Sequence, residues 1–561
     1  MTSSLFLALR RLRRPLLVLI GAYSASTLGL VLIPGVDADG QPFHMDFMHA
    51  FYVVSYTGTT IGYGEVPYPF TPPQRLWMTL SIYVTVTAWL YSIGSIIATL
   101  TDTGFRRLIA ERRFEAEVRA IGQPFYLVCG YGDTGSLVVE ELRRYAFGVV
   151  VIDPDPERID ELGLIELGAP IPALCGRPEK PELLVKAGLT SRWCMGVVAL
   201  ESDDQNLAVA MAARLLNPSI PAICRTHSAE VAANMASFGT RHIVNPFVAF
   251  AERVALTYRA PSAHVVYEAL ISSHRTPTSP LVQLPHGRWI VCGYGRFGRA
   301  VHAALRSAGN DVTVIEVDPA RAPEGPGTVI GGGTEAPTLL EAGVADACGI
   351  VAGTDHGINN LSIIVTAREL QPRIFTIARE IDRDQDLLFK HAQLDLRVRL
   401  AYLAATEAVE LLRNPLLPLF LDRLMRCEEP WAAALLARMV ELIGDISPTT
   451  WVLPISSVHS PALVRWLEDG APLALGALLR DPRHRDTPLP VLALMVRRDR
   501  ALHLLPPDDF ALAPNDEVLC CGRPDAQPRM QWSRHDRAVI EYLVTGQERS
   551  RGWLRLGRQR A

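Results

Sequence analysis

The chain has 561 residues, room for roughly three or four domains, and 49% of them are hydrophobic with a mean hydropathy of +0.16, rich for a wholly water-soluble protein. Part of it is expected in lipid. A formal net charge of -4, with no basic stripe interleaved with aromatics, excludes nucleic acid as an expected partner.

Arg10, Arg11, Arg13 and Arg14 precede an uncharged stretch from Pro15 to Val36, about the 20 residues that a membrane helix needs. A second uncharged stretch, Leu76 to Leu100, is followed by Arg106, Arg107, Arg112 and Arg113, so the positive-inside rule puts both termini in the cytoplasm of a multi-pass protein. Ala22 to Ser26 resembles a signal-peptide cleavage site, but removal would leave a single span, and the first stretch reads as uncleaved. Between the spans, Met45 to Tyr56 is apolar and short enough for a re-entrant helix, tolerated at membrane depth when protein surrounds it.

Thr57-Gly58-Thr59-Thr60-Ile61-Gly62-Tyr63-Gly64-Glu65 follows directly. A pore that strips water from potassium must present stacked rings of carbonyl oxygens. Gly62 and Gly64 can take the positive φ that turns successive carbonyls one way, Ile61 and Tyr63 can pack outward, and the Thr60 hydroxyl can add a further ring. Residues Thr60, Ile61, Gly62, Tyr63 and Gly64 resemble the Thr-Val-Gly-Tyr-Gly filter signature of potassium channels, with Ile61 for valine and Glu65 where aspartate commonly follows. Gly-Tyr-Gly recurs at 130–132 and 293–295, but there it follows an apolar strand and opens a helix. Channels of this family commonly carry a hinge glycine midway along the second span; here the one glycine, Gly94, lies nearer its cytoplasmic end and is expected to serve helix packing.

Past a charged, helical connector the pattern becomes that of a dinucleotide-binding unit. Phe125 to Cys129 reads as a buried strand, Gly130-Tyr131-Gly132-Asp133-Thr134-Gly135 as a glycine turn opening a helix, and Val149 to Ile152 as a second strand ending at Asp153. Such glycines let backbone approach a pyrophosphate at a helix amino end, and the acid accepts from a ribose diol. The unit repeats as Trp289 to Cys292, then Gly293-Tyr294-Gly295-Arg296-Phe297-Gly298, and Val312 to Ile315 ending at Glu316. Asp153 and Glu316 each lie 23 residues beyond Gly130 and Gly293. Asn206 matches Asn360, and Arg225 matches Arg379. The repeat predicts two folded domains of one kind. Acids at Asp153 and Glu316 disfavour a 2′-phosphate and lean to NAD(H) or to ATP/ADP over NADP.

Two Rossmann units after a two-span pore resemble the RCK (regulator of potassium conductance, TrkA-N-like) domains of ligand-gated prokaryotic potassium channels. The resemblance covers nearly the whole chain. It implies an α-helical membrane module followed by α/β, two tandem doubly wound Rossmann-like domains and a small α+β carboxyl-terminal lobe. The expected divisions are a pore domain over 1–103, connector 104–123, first RCK domain 124–273, linker 274–286, second RCK domain 287–445, lobe 446–523 and basic tail 524–561, the tail with one helix near Asp536 to Val544. It also implies a homotetramer in membrane lipid of a prokaryotic inner membrane, with K+ as permeant ion and a nucleotide ligand at Gly130, Gly132, Asp133, Gly135 and Asp153, or at Gly293, Gly295, Arg296, Gly298, Glu316 and Arg379. Calcium-gated relatives carry acids after the fifth strand, and Glu380, Asp382 and Asp384 offer oxygen ligands for Ca2+ there. An EF-hand would need glycine where Leu387 stands, and a solvated loop is the commoner use of such a run.

Nine cysteines, all after the second span, include no CxxC pair, so neither zinc nor a disulfide framework is expected and a reduced compartment fits. Two rival readings share the Rossmann turns. A membrane-tethered NAD-binding oxidoreductase would need a catalytic constellation that the sequence does not offer, and the regulatory part of a potassium transporter would need more than two spans.

Overall fold

The computed structural model describes residues 2–165, 168–240, 242–272, 275–279, 282–325 and 327–547, with backbone alone over 2–12. The chain forms two compact units, 1–120 and 121–561. In the first, helices Thr2–Leu32 and Pro72–Thr101 are long and apolar enough to cross a membrane. The second begins four residues before the expected Leu76: Thr71 and Gln74 form a capping box, and proline at the first helical positions starts a helix without losing a bond. Ser81, Thr85, Ala88 and Ser92 form its buried stripe. Small residues there let helices approach closely, as the contacts with Thr2–Leu32 show. The Trp77 indole N–H donates to the Ser26 carbonyl at 3.0 Å and the Ser92 hydroxyl to the Pro15 carbonyl at 3.2 Å. A Cβ on Gly29 would fall 2.1 Å from the Trp77 ring, whereas one on Gly94 would meet nothing within 4 Å. Gly94 therefore serves no packing within the chain, against expectation. A short hairpin pairs Gly35–Val36 with Pro42–Phe43, and helix Phe47–Gly58 follows, its amino end capped by Asp46. Helix Thr103–Arg119 ends the unit.

The second unit holds three sheets. In the first sheet β1 (Phe125–Cys129), β2 (Gly148–Asp153), β3 (Ala173–Cys175), β4 (Cys194–Ala199), β5 (Ala222–Arg225) and β6 (His242–Val244) lie parallel in the order 3-2-1-4-5-6. The second sheet repeats that order with β7 (Arg288–Cys292), β8 (Asp311–Glu316), β9 (Thr328–Ile330), β10 (Gly349–Ala352), β11 (Phe375–Glu380) and β12 (Leu396–Arg399). Both are doubly wound Rossmann sheets. Every residue of β1 is buried, as the uninterrupted apolar run requires of a strand covered on both faces. Cys129 and Cys292 are fully buried, and burial pushes both thiols up, Cys292 to about 12. The third sheet is antiparallel: β13 (Thr449–Pro454), β14 (Val491–Arg498), β15 (Ala501–Leu504) and β16 (Glu517–Gly522), in the order 13-16-14-15.

The two Rossmann units exchange helices. After β6 the chain forms helix Pro246–Arg259, whose Phe247, Phe250, Ala251 and Val254 join the core over the second sheet. After β12, helix Leu400–Arg413 puts Ala404, Ala405, Ala408 and Val409 into the core of the first. The helical stretch after β6 breaks at Ala260, because Pro261 disfavours helical backbone in the residue before it. Its second part, Pro261–Ile271, packs with helix Glu429–Ile443 under the antiparallel sheet. Near the end of the chain there are two helices where one was expected: Arg537–Thr545 is preceded by Ala526–His535, which buries only Ala526, Met530 and Ser533 and so shows little apolar periodicity. The rest of the tail, 548–561, lies outside the described residues.

Phe250 is 6% exposed and its ring stands 5.4 Å from that of Phe297 on the opposite unit. Phe250→Ala is expected to cost about 3–5 kcal/mol of unfolding free energy, while Leu215→Ala at a solvent-facing position stays within about 0.5 kcal/mol. Denaturant unfolding of both variants checks the difference.

Candidate functional site

The loop after helix Phe47–Gly58 is held from behind and open in front. The Ile61 N–H donates to the Tyr56 carbonyl at 2.9 Å, the Gly62 N–H to the same oxygen at 3.4 Å, and the Tyr56 hydroxyl to the Gly64 carbonyl. The Tyr63 ring lies 5.6 Å from Tyr56 and 6.4 Å from Tyr52. Glu65 accepts from Arg75 at 2.8 Å and from the Phe70 N–H at 2.8 Å, fastening the loop's far end to the start of helix Pro72–Thr101. Gly62 and Gly64 have φ of +67° and +106°, where glycine is at no disadvantage. Thr60 shares this conformation, at +65°, a strained state for a β-branched residue that the sequence did not signal. Ile61 and Tyr63 are 60% and 68% exposed in the single chain.

The glycine turns in the second unit are near duplicates. Gly130 and Gly293 have φ of +103° and +89°, and a Cβ on Gly135 or Gly298 would lie 2.0 or 1.8 Å from the carbonyl oxygen of Gly130 or Gly293. The third glycine is therefore fixed by helix-to-strand packing. Gly132 and Gly295 cap the helices that begin at Asp133 and Arg296. Asp153, fully buried, accepts from the Tyr131 N–H at 2.5 Å and the Asp155 N–H at 2.7 Å; Glu316 accepts from the Tyr294 N–H at 2.5 Å and the Asp318 N–H at 3.1 Å. Both acids brace the turn, a role the motif alone does not reveal. Carboxylate oxygens can accept further bonds, so a ribose hydroxyl would share these atoms with backbone.

The surroundings of the turns differ. At the first, the Glu201 carboxylate reaches to 2.6 Å from where a Gly130 Cβ would stand, and burial, then the neighbouring Asp153, raises its pKa. Arg158 approaches both acids, 3.5 Å from Asp153 and 3.9 Å from Glu201. This turn opens into a cleft of about 760 Å³ to which the other Rossmann unit contributes Arg379, Arg383, Lys390 and Arg399. The second turn opens into about 360 Å³, lined by Arg296, Arg321, Arg379 and the borrowed Phe247. The guanidinium groups of Arg296 and Arg379 lie 5.4 and 5.5 Å from the Phe247 ring, and Arg379 pairs with Asp355 at 2.7 Å. The buried Nε atoms of Arg225 and Arg379 have no partner among the described residues.

Asn206 and Asn360, noted in the sequence only as matching landmarks, are fully buried staples. Each donates from Nδ2 to the carbonyls of Glu201 and Arg225, or of Thr354 and Arg379, tying the ends of the fourth and fifth strands of its sheet. Glu201, His227, Phe247 and Arg383 carried no linear signal: the first two reach the first cleft from the ends of their own unit's fourth and fifth strands, and only the pairing of the units brings Phe247 and Arg383 to a cleft of the opposite unit.

The three acids offered for a divalent cation do not converge in the single chain. Glu380 is paired with Arg397, Asp382 accepts from the Gln385 side chain at 2.9 Å, and Asp384 is exposed. Among the described residues no three His, Cys, Asp or Glu side chains converge as metal ligands. Strand and turn geometry sends Glu380 and Asp382 to different partners and leaves Asp384 at the surface.

A model of the TrkA-N domain matches residues 126–246 and 289–399. Both Rossmann units are TrkA-N domains. The chain is 26% identical over 204 residues to potassium channel protein 1 of Methanocaldococcus jannaschii and 27% identical over 219 residues to probable potassium channel protein 2 of that organism. These matches cover 36% and 38% of this chain and 60% of each relative, so the chain spans about three-fifths of their length. Among solved structures, the GsuK channel bound to NAD is 15% identical, covering 94% of this chain and 99% of that one, with a TM-score of 0.45.

Between the TrkA-N domains His227 accepts no proton readily. Burial, then Arg225 and Arg296, lowers its pKa to about 4, against a small opposing effect of Asp203. A folded pKa below the unfolded value of 6.5 means that the unfolded chain binds the proton first, so the stability is present above pH 6.5 and is lost as pH falls towards 4. The loss is on the order of 2–3 kcal/mol, and His227→Gln is expected to flatten that part of the stability–pH curve when unfolding is followed across it.

Proposed function

We propose that four copies of this chain form a potassium-selective channel in a prokaryotic cell membrane, gated by nucleotide bound to its TrkA-N domains. The observation that carries this reading is the loop Thr60–Gly64: positive φ at Thr60, Gly62 and Gly64 within an otherwise apolar, exposed run, braced from behind by Tyr56 and anchored by Glu65–Arg75. Alternating backbone hand turns carbonyls towards one side, and rings of carbonyls around an axis replace potassium's hydration shell. One chain supplies one loop; a closed ring needs copies related by rotation. Helices Thr2–Leu32 and Pro72–Thr101 would hold the loop in the bilayer, with both termini cytoplasmic. Rossmann folds also serve oxidoreductases, but hydride transfer has no use for such a loop, and the relatives that the chain matches include potassium channel proteins.

Ligand moves a pore only through unequal affinity for its open and closed forms. The connector Thr103–Arg119 is the covalent path by which TrkA-N rearrangement would reach the pore. Both glycine turns have the room and the helix amino end that a pyrophosphate needs. Their charges point to different ligands. At the first turn Asp133 and Glu201 offset part of the positive charge of a cleft that Arg158, Arg225, Arg379, Arg383, Lys390 and Arg399 line, and we assign it the less highly charged NAD(H); the second turn carries Arg296 itself, beside Arg321 and Arg379, and is assigned ATP or ADP.

Gly62→Ala is expected to abolish potassium flux through purified protein in liposomes, because a side chain penalises the positive φ, while nucleotide binding persists. Undiminished flux would overturn the channel reading. Titration calorimetry tests the second step: Arg296→Ala should weaken ATP at least fivefold, and Asp133→Ala should strengthen ATP at the first turn.

A further inference from the structure

Helices Pro246–Arg259 and Pro261–Ile271, with the end of β12 and the start of helix Leu400–Arg413, enclose a cavity of about 340 Å³ that contains neither glycine turn. Phe250, Val254, Leu284 and Leu403 give it apolar walls. Its charged lining is one-sided. Arg253, 6% exposed, is matched by Glu268 at 3.2 Å and lies over the Tyr267 ring at 4.8 Å, which accounts for the acid in the lining. Arg397 is directed to Glu380 and Asp386. Arg275, half-buried, and Arg399, exposed at the cavity's edge, remain, and neither forms an ion pair among the described residues. Arg399 lies 4.9 Å over the Tyr402 ring, a weak substitute for a carboxylate. In addition the buried Nδ1 of His264 and Nε of Arg253 have no partner among the described residues.

Two cations without a carboxylate partner beside an apolar wall leave an anion with an apolar body a better partner than water alone. We propose that this cavity binds a small organic anion, a carboxylate or phosphate ester on a short apolar body. Arg275 and Arg399 hold the charged end and the Phe250–Leu403 wall takes the body. The volume lies in the range of small-molecule sites. The inference does not depend on the channel reading, and although Arg399 and Tyr402 also line the first turn's cleft, Arg275 and Leu403 line neither turn's cleft and so distinguish this site from them.

The test is a ligand-observed NMR titration of the full-length protein in detergent with benzoate and phenylphosphate, against benzamide and inorganic phosphate as probes lacking the charge or the apolar body. Benzoate or phenylphosphate is expected to bind at least tenfold more tightly than its control. Arg275→Gln should lower that affinity about tenfold, and Leu403→Trp should fill the cavity and abolish binding. The proposal is overturned if neither aromatic anion binds the wild-type chain, if benzamide binds as well as benzoate, or if Arg275→Gln leaves affinity unchanged; binding that survives both substitutions belongs to the glycine turns and counts against it. Should Leu403→Trp fail to fold, Arg275→Gln decides alone.

Discussion

One face of each Rossmann sheet is completed by a helix that belongs in sequence to the other unit, and most of what the second compact unit can do depends on that exchange. Parallel sheets need cover on both faces. Here Ala404, Ala405, Ala408 and Val409 fill the first core from the second unit, and Phe247, Phe250, Ala251 and Val254 fill the second core from the first. Small residues on one crossing helix and aromatic residues on the other set how closely each approaches. Neither TrkA-N domain is expected to be stable without its partner, because removing the partner would expose an apolar face of the sheet.

The same exchange builds the clefts. Phe247 opens the helix that covers the second sheet, and Arg296 and Arg379 lie against its ring at the second turn. Arg383, from beyond β11, donates to the Ser136 hydroxyl at 3.0 Å on the helix that follows the first turn. Arg379 borders both clefts. A ligand that drew Arg379 away from Asp355 towards a phosphate at the second turn would alter the field at the first. Were ligand at one turn to move the Arg379 guanidinium, the two sites would be coupled, and the coupling would be reciprocal for binding.

How much of this was legible in the sequence follows from what each feature depends on. Strand, glycine turn, helix, strand and acid are local, and Gly130 to Asp153 and Gly293 to Glu316 fold as the pattern predicts. The filter-like loop is local too, and its glycines have the predicted hand. Thr60 was missed because a positive φ at a β-branched residue is imposed by bonds on either side and is not a propensity. The acids Asp153 and Glu316 were read as ribose ligands, yet their first duty is to two backbone N–H groups, which composition cannot show. The acid run at 380–384 misled for the converse reason: alternation in sequence resembles a ligand set, but Arg397, on the neighbouring strand, claims Glu380.

In the first compact unit the limiting constraint is not folding but completion. Thr60 to Gly64 forms five consecutive residues without a charge, and Ile61, Gly62, Tyr63 and Gly64 are all exposed in the single chain. Behind them every tie is local: Tyr56 to Gly64, Ile61 to Tyr56, Glu65 to Arg75. A loop preorganised in a strained conformation, with its front unpartnered, stores its cost in the single chain and recovers it when something meets that face. Water would satisfy carbonyls but not Ile61 and Tyr63; lipid would satisfy Ile61 but not carbonyls. In the proposed assembly, a second copy of the same surface, rotated about a shared axis, would give the apolar residues a flank to pack against and the carbonyls a dehydrated cation to share. On the proposed reading, the mixed chemistry of this one loop fits assembly around an ion better than either solvent.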